Sequence, residues 1–271
     1  MNDISIFLEH IYEASAQRGV TLKEALQFAK SCGIGYLECD HWRLEDRAMK
    51  QLFDSCGMGV SCIYEHFDLL GDEDISEQKY RRLFETALFY GCKKVLCIPG
   101  FSEQPDAELP KFAAGIARMC ETAEEYGITV TVEDFDDIKS PCCRMGWLKY
   151  LLENVKGLRY TFDTGNFRYC LEDAGEAYDM LKQYISHVHC KDRSYDEANS
   201  DSSGSNGKAD LSGAVMYPSV VGEGVIGMES LVRQLIADGY AGTLAIEHFG
   251  ANDQMDYMKI SAENLRSYMQ K

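Results

Sequence analysis

Apolar runs of strand length alternate with amphipathic stretches of helix length along this whole chain, and few folds accept that pattern. The runs ISIFLEHIY, YLECD, GVSCIYEHF, KVLCIPG, ITVTVEDF, LRYTFDTGNF, ISHVHCKD and GTLAIEHFG read as eight strands. Stretches such as TLKEALQFAK, EDRAMKQLFDSCG, SEQKYRRLFETALFYGC and ELPKFAAGIARMCETAEEYG read as the helices between them, and a last helix closes the chain. Thr21 and Glu24 stand at capping-box spacing, Ser76 reads as a helix cap, and Gly33, Gly57 and Gly91 read as helix stops. Eight such units in 271 residues match one α/β domain over 1–271, a single (β/α)8 barrel. An open doubly wound sheet for a dinucleotide would carry a glycine-rich turn after its first strand. EHIYEASAQ has no GxGxxG there.

One connection breaks the rhythm. After the seventh strand a segment of about 196–222, including SDSSGSNGKAD, shows neither helical nor strand period. Such a segment is either a cover for a site or a solvated insertion, and in a barrel it emerges at the C-terminal face, where active sites lie.

Composition narrows the partners. The chain carries 44 acidic against 27 basic residues, a formal net charge of −17, which repels phosphate backbones and anionic lipid surfaces and favours cations. Nucleic acid is therefore excluded as a partner, and a neutral small molecule is expected. No apolar run approaches the length of a membrane span, and the N-terminus carries Asp3 and Glu9 within its apolar stretch, unlike a signal peptide. The reading is cytoplasmic, with homo-oligomerisation left open. The 11 cysteines contain no CxxC pair and mostly sit in apolar runs, so they read as reduced structural thiols, with the adjacent Cys142 and Cys143 standing out.

The chemistry concentrates at strand ends. Glu133 in TVTVEDF, Asp163 in RYTFDTGN, His189 in HVHCKD and Glu247 in LAIEHFG each close one of four consecutive strands, and in a barrel such side chains converge on the mouth. A charge on an apolar strand is costly to desolvate without a partner. Three carboxylates and one imidazole form a hard donor set for one divalent ion, with Mn²⁺ or Mg²⁺ favoured and Zn²⁺ or Co²⁺ as alternatives. Glu38 in YLECD and His66 in IYEHF end two further strands and are candidates to bind substrate hydroxyls, or else structural groups. His187 and His248 are expected to face the layer between barrel and helices. Lys191 and Asp192 read as a structural pair, or Lys191 as a group orienting a substrate oxygen.

The ordered set VEDF, FDTGN, HVHCKD, VGEGVIG and GTLAIE resembles the sugar phosphate isomerase/epimerase family with the xylose isomerase-like barrel, over essentially the whole chain. The resemblance implies that Glu133, Asp163, His189 and Glu247 bind one divalent metal, and that Glu133 and Glu247 exchange protons with the substrate from opposite faces. Many members read Asp-Thr-Gly-His where this chain has Asp163-Thr164-Gly165-Asn166, which leaves a substrate-contacting amide in place of an imidazole. Where sugar epimerases often carry an arginine after the ligand histidine, this chain has Tyr195, with Arg193 nearby. Asn166, Lys191 and Arg193 thus join the substrate-binding candidates.

The implied activity is metal-dependent isomerisation or epimerisation of a small ketose or polyhydroxylated ketone, in which a proton is taken next to a metal-bound carbonyl through an enediolate. The alternative is a lyase or dehydratase acting on a keto-sugar, cyclic keto-polyol or keto-glycoside at the same site. Further rivals are a non-catalytic sugar-binding barrel and an AP-endonuclease-like enzyme, whose multi-zinc site would need more than the 6 histidines present.

Overall fold

The computed structural model describes residues 2–201 and 205–270. Its strands are β1 (Ile4–Phe7), β2 (Tyr36–Asp40), β3 (Gly59–His66), β4 (Lys94–Ile98), β5 (Thr129–Glu133), β6 (Arg159–Asp163), β7 (Ile185–Ser194), β8 (Lys208–Ala209), β9 (Val215–Ser219) and β10 (Leu244–Glu247). β1 to β7 follow one another in the sheet, and β10 pairs in parallel with both β1 and β7, which closes an eight-stranded parallel barrel. The barrel strands read as near-continuous apolar runs because a parallel sheet of this kind is covered on both faces. β1 and β10 are buried throughout.

The helices are α1 (Leu8–Arg18), α2 (Leu22–Ser31), α3 (Ala48–Cys56), α4 (Glu73–Tyr90), α5 (Pro105–Tyr126), α6 (Met145–Asn154), α7 (Ala174–Leu181), α8 (Met228–Ala237) and α9 (Gln254–Met269). Three sequence expectations need correction. ISIFLEHIY is a strand only as far as Phe7; from Leu8 onward it is α1, because Leu8, Ile11 and Ala14 recur at helical spacing and are buried together. α4 is capped by Asp72, whose carboxylate accepts from Asp74 N and Ile75 N, so Ser76 already lies inside the helix. The segment 196–222 is not without period: β9 pairs antiparallel with the extended end of β7, and β8 pairs antiparallel with β9. Positions 202–204 of that segment lie outside the described residues. The capping box at Thr21 and Glu24 is formed as expected.

Contacts gather into two units. One holds residues up to Glu38, Ala48–Gly59 and Val188 onward; the other holds Cys39–Arg47 and Val60–His187. Their boundaries fall inside β2, β3 and β7, so each of these strands runs from one unit into the other. Among the described residues, no helix is long and apolar enough to cross a membrane.

Candidate metal centre

In the second unit, β5 and β6 end side by side in Glu133 and Asp163. Beneath them on the same face, Thr161 Oγ1 donates to Thr131 Oγ1 at 2.8 Å, and Thr131 Oγ1 donates to Val95 O at 3.2 Å, a buried polar layer with its donors satisfied. Asp163 Oδ1 accepts from Gly165 N and Asn166 N, both at 2.7 Å, which fixes one carboxylate oxygen against the turn after β6. The next residue after Glu133 completes the support. Asp134 Oδ1 accepts from Tyr160 Oη at 2.6 Å and from Asp163 N at 2.9 Å, while its carbonyl accepts from Asn166 Nδ2 at 2.7 Å. Burial pushes the Asp134 carboxyl well above its ordinary range, against the Tyr160 hydrogen bond and with the help of the Glu133 charge.

In the first unit, the period of two along β7 sends His189 and Lys191 to one face, and the register sets Lys191 opposite Glu247. His189 Nε2 is 2.9 Å from Glu38 Oε1, and both side chains are fully buried. The other ring nitrogen, Nδ1, lies 3.3 Å from Glu247 Oε2. Lys191 Nζ donates to Glu247 Oε1 at 2.7 Å. Burial alone would raise the Glu247 carboxyl; the Lys191 charge and the bonds from His189 and Lys191 outweigh it and hold the group well below the usual carboxylate range.

Glu133 and Asp163 in the second unit, and His189 and Glu247 in the first, are all buried. A buried carboxylate is costly unless a cation, a proton or hydrogen-bond donors answer its charge. The carboxylate oxygens with one imidazole nitrogen make a donor set that fits a hard divalent ion. Cavities of about 480 Å³ beside Gly33, Gly59 and Arg266 and of about 450 Å³ beside His41, Glu65 and Phe89 are lined by none of the four ligand candidates.

A family profile described as a xylose isomerase-like TIM barrel matches residues 26–268. The chain belongs to the xylose isomerase-like TIM barrel family. Similar solved structures include the probable 3-DHS dehydratase AsbF of Bacillus anthracis, 17% identical over 97% of this chain and 98% of that one, with a TM-score of 0.74. An L-ribulose 3-epimerase is 17% identical over 99% and 95%, at 0.73. A xylose isomerase-like TIM barrel protein of Mycobacterium smegmatis, solved in complex with magnesium, is 14% identical over 99% and 98%, at 0.70. At these identities the likeness shows the fold. No curated protein matches the chain.

Within this xylose isomerase-like barrel, other expected positions are placed differently. His187 does not face the helix layer: it shares the parity of His189 along β7, with Lys94 Nζ 3.5 Å from its Nδ1. His248, of opposite parity, stacks on His10 with ring centroids 4.7 Å apart. Lys191 and Asp192 are not a pair, since adjacent strand residues point to opposite faces. Lys191 serves Glu247, and Asp192 accepts from the backbone N–H groups of Gly222, Gly224 and Ile226. Glu38 is fully buried against His189, and Asn166 is buried with its amide donated to Asp134. Arg193 is buried as well, whereas His66 is exposed. Asp134 and Tyr160 escaped the sequence reading; the doubled carboxylate of VED is the one signal that marks them.

Proposed function

We propose that this chain is a divalent-metal-dependent isomerase or epimerase of a small ketose or polyhydroxylated ketone, with Glu133, Asp163, His189 and Glu247 as the ligands of one ion. The observation that carries this reading is the donor set itself: buried carboxylates ending β5 and β6, and a buried imidazole on β7 held 3.3 Å from the buried carboxylate that ends β10. Mg²⁺ or Mn²⁺ suits an oxygen-rich set best, with Zn²⁺ or Co²⁺ as alternatives, and a similar barrel holds magnesium. When bound, the ion polarises the substrate carbonyl and acidifies the neighbouring C–H. Asp163 and His189 hold position: the first through its bonds from Gly165 N and Asn166 N, the second through Glu38. Glu133 and Glu247 are the acid–base pair, one removing the proton and the other returning one on the opposite face for epimerisation or at the adjacent carbon for isomerisation. His66 and Arg193 are the side chains offered to substrate hydroxyls, and Asn166 contributes through the wall it forms with Asp134.

One observation favours the lyase or dehydratase reading as the second. Lys191 places a buried ammonium against Glu247 at 2.7 Å, a proton donor besides the two glutamates and one suited to a departing β-hydroxyl. AsbF, a probable dehydratase, is among the similar folds.

The test is a screen of metal-loaded protein against ketoses, cyclic ketopolyols and ketoglycosides in deuterated water. Isomerase or epimerase action leaves an isomer made one mass unit heavier by deuterium next to the carbonyl; dehydration leaves a product lighter by one water. Glu133→Gln and Glu247→Gln lower turnover at least about a hundredfold, the usual scale of general acid–base loss. Variants that keep wild-type turnover with metal bound overturn the assignment of these glutamates.

A further inference from the structure

The second unit carries another set of polar side chains, drawn from three elements that supply no metal ligand. His41 opens the short 3-10 turn His41–Leu44 that follows β2, Glu65 stands near the end of β3, and Thr86 lies in the C-terminal half of α4. Glu65 Oε2 is 3.2 Å from His41 Nδ1, and His41 Nε2 is 3.1 Å from Thr86 Oγ1. The other oxygen of Glu65 is also held: Oε1 accepts from His66 N at 2.8 Å and lies 3.0 Å from Lys79 Nζ. Although burial opposes it, the bonds from His41 and Lys79 and the Lys79 charge keep this carboxyl ionised. An ionised carboxylate takes the Nδ1–H of His41, which leaves the Nε2 lone pair facing the hydroxyl of Thr86.

These three residues border the cavity of about 450 Å³, a size within the range of about 300–1,000 Å³ usual for small-molecule sites. Arg82 stands one turn before Thr86 on the same face of α4, and Phe89, one turn after it, carries the Arg47 guanidinium 4.6 Å above its ring. Both arginines line the cavity, and neither makes an ion pair among the described residues.

We propose that Thr86, His41 and Glu65 are the nucleophile, base and orienting carboxylate of a second active centre, which hydrolyses small carboxylic esters bound in this cavity. A nucleophile and base within about 2.6–3.2 Å, with the base oriented by a third group, is the arrangement that acyl transfer requires. The Thr86 proton has two acceptors in reach, Arg82 O at 2.9 Å and His41 Nε2, and the relay acts when it points to the imidazole. Thr86 Oγ1 attacks the ester carbonyl carbon while His41 Nε2 takes its proton, and the carbonyl electron pair moves onto oxygen. Arg47 and Arg82 supply the countercharge, and Glu65 stabilises the imidazolium without taking its proton. The carbonyl then re-forms, the bond to the alkoxy oxygen breaks, and the alcohol leaves with the proton from His41. Water adds to the acyl group on Thr86 by the same route, the acid leaves, and the proton returns to Thr86. One ester and one water give one acid and one alcohol, with no change of oxidation state.

The experiment mixes the full chain with p-nitrophenyl acetate at neutral pH, follows release of p-nitrophenolate, and maps acetyl groups in quenched samples by mass spectrometry. The expected result is a burst of about one p-nitrophenolate per chain and an acetyl group on Thr86, followed by slower turnover. Thr86→Val, which keeps the shape of the side chain, and His41→Gln each lower the protein-dependent rate at least about a hundredfold, while Thr86→Ser retains it. Chelation with EDTA leaves the rate unchanged, which separates this centre from the one at the strand ends. Hydrolysis no faster than that of free imidazole at the same concentration overturns the proposal. So does Thr86→Val at the wild-type rate, or a rate lost on chelation. Thermal melts check that the variants fold; if they do not, an acetyl group found on lysines and not on Thr86 in the wild type overturns it.

Discussion

Replacing Glu38 by Gln probes the support of the metal centre without touching a proposed ligand. Glu38 and His189 are fully buried and joined at 2.9 Å. A carboxylate there accepts the Nε2–H of His189, so Nδ1, the nitrogen facing Glu247, keeps its lone pair for a cation. Glutamine preserves the shape but can offer either its oxygen or its NH₂, and the second choice selects the other tautomer. A hydrogen bond to a charged group is worth roughly 1.5–3 kcal/mol, and the amide oxygen recovers part of it. The remaining loss of about 1.4–2.7 kcal/mol is a 10- to 100-fold weaker affinity, the scale found when the outer partner of a ligating histidine is removed. Titration calorimetry with Mn²⁺ on wild type and Glu38→Gln reads this directly, with thermal melts of the metal-free proteins as the check on folding. A variant that melts like wild type and binds Mn²⁺ within twofold of it refutes the orienting role.

Two further outcomes rest on stability. Although burial raises Glu65, hydrogen bonds from His41 and Lys79 and the Lys79 charge lower it to about 2 from 4.5. A depressed folded-state pKa stabilises above the unfolded value, so Glu65→Gln costs up to about 3 kcal/mol at neutral pH in urea unfolding, and the gap between the two proteins narrows below about pH 4.5 and closes near pH 2. A gap that stays constant with pH sinks this account. Thr21→Ala removes the capping box of α2, where Thr21 Oγ1 accepts from Glu24 N at 3.2 Å, and is expected to cost about 1 kcal/mol; no change would mean the cap is idle.

How far the sequence carries this picture depends on the kind of signal. Strands buried on both faces announce themselves as apolar runs, and TVTVEDF, RYTFDTGNF and GTLAIEHFG end where Glu133, Asp163 and Glu247 stand in the structure. ISIFLEHIY misled because one apolar run spans two periods, a strand to Phe7 and a helix from Leu8. The segment after β7 hid two short strands because β9 includes Pro218 and pairs at an edge, where alternation is weak. Parity alone was sufficient to put His187 on the face of His189; reading it outward ignored the two-residue repeat. What no local pattern contains is pairing across the sheet. That Glu38 meets His189, 151 residues away, follows only from closure of the barrel, and that Asp134 ties Tyr160 to the turn at Asn166 follows only from the pairing of β5 with β6.

The central claim is that Glu133, Asp163, His189 and Glu247 hold one divalent ion. Elemental analysis of protein dialysed against Mn²⁺ or Mg²⁺ and freed of loose metal tests it most directly, with Asp163→Ala and His189→Ala alongside and circular dichroism confirming that each variant is folded. The account expects one ion per wild-type chain and none in either folded variant. Full occupancy in both variants, or no ion in the wild type, contradicts it.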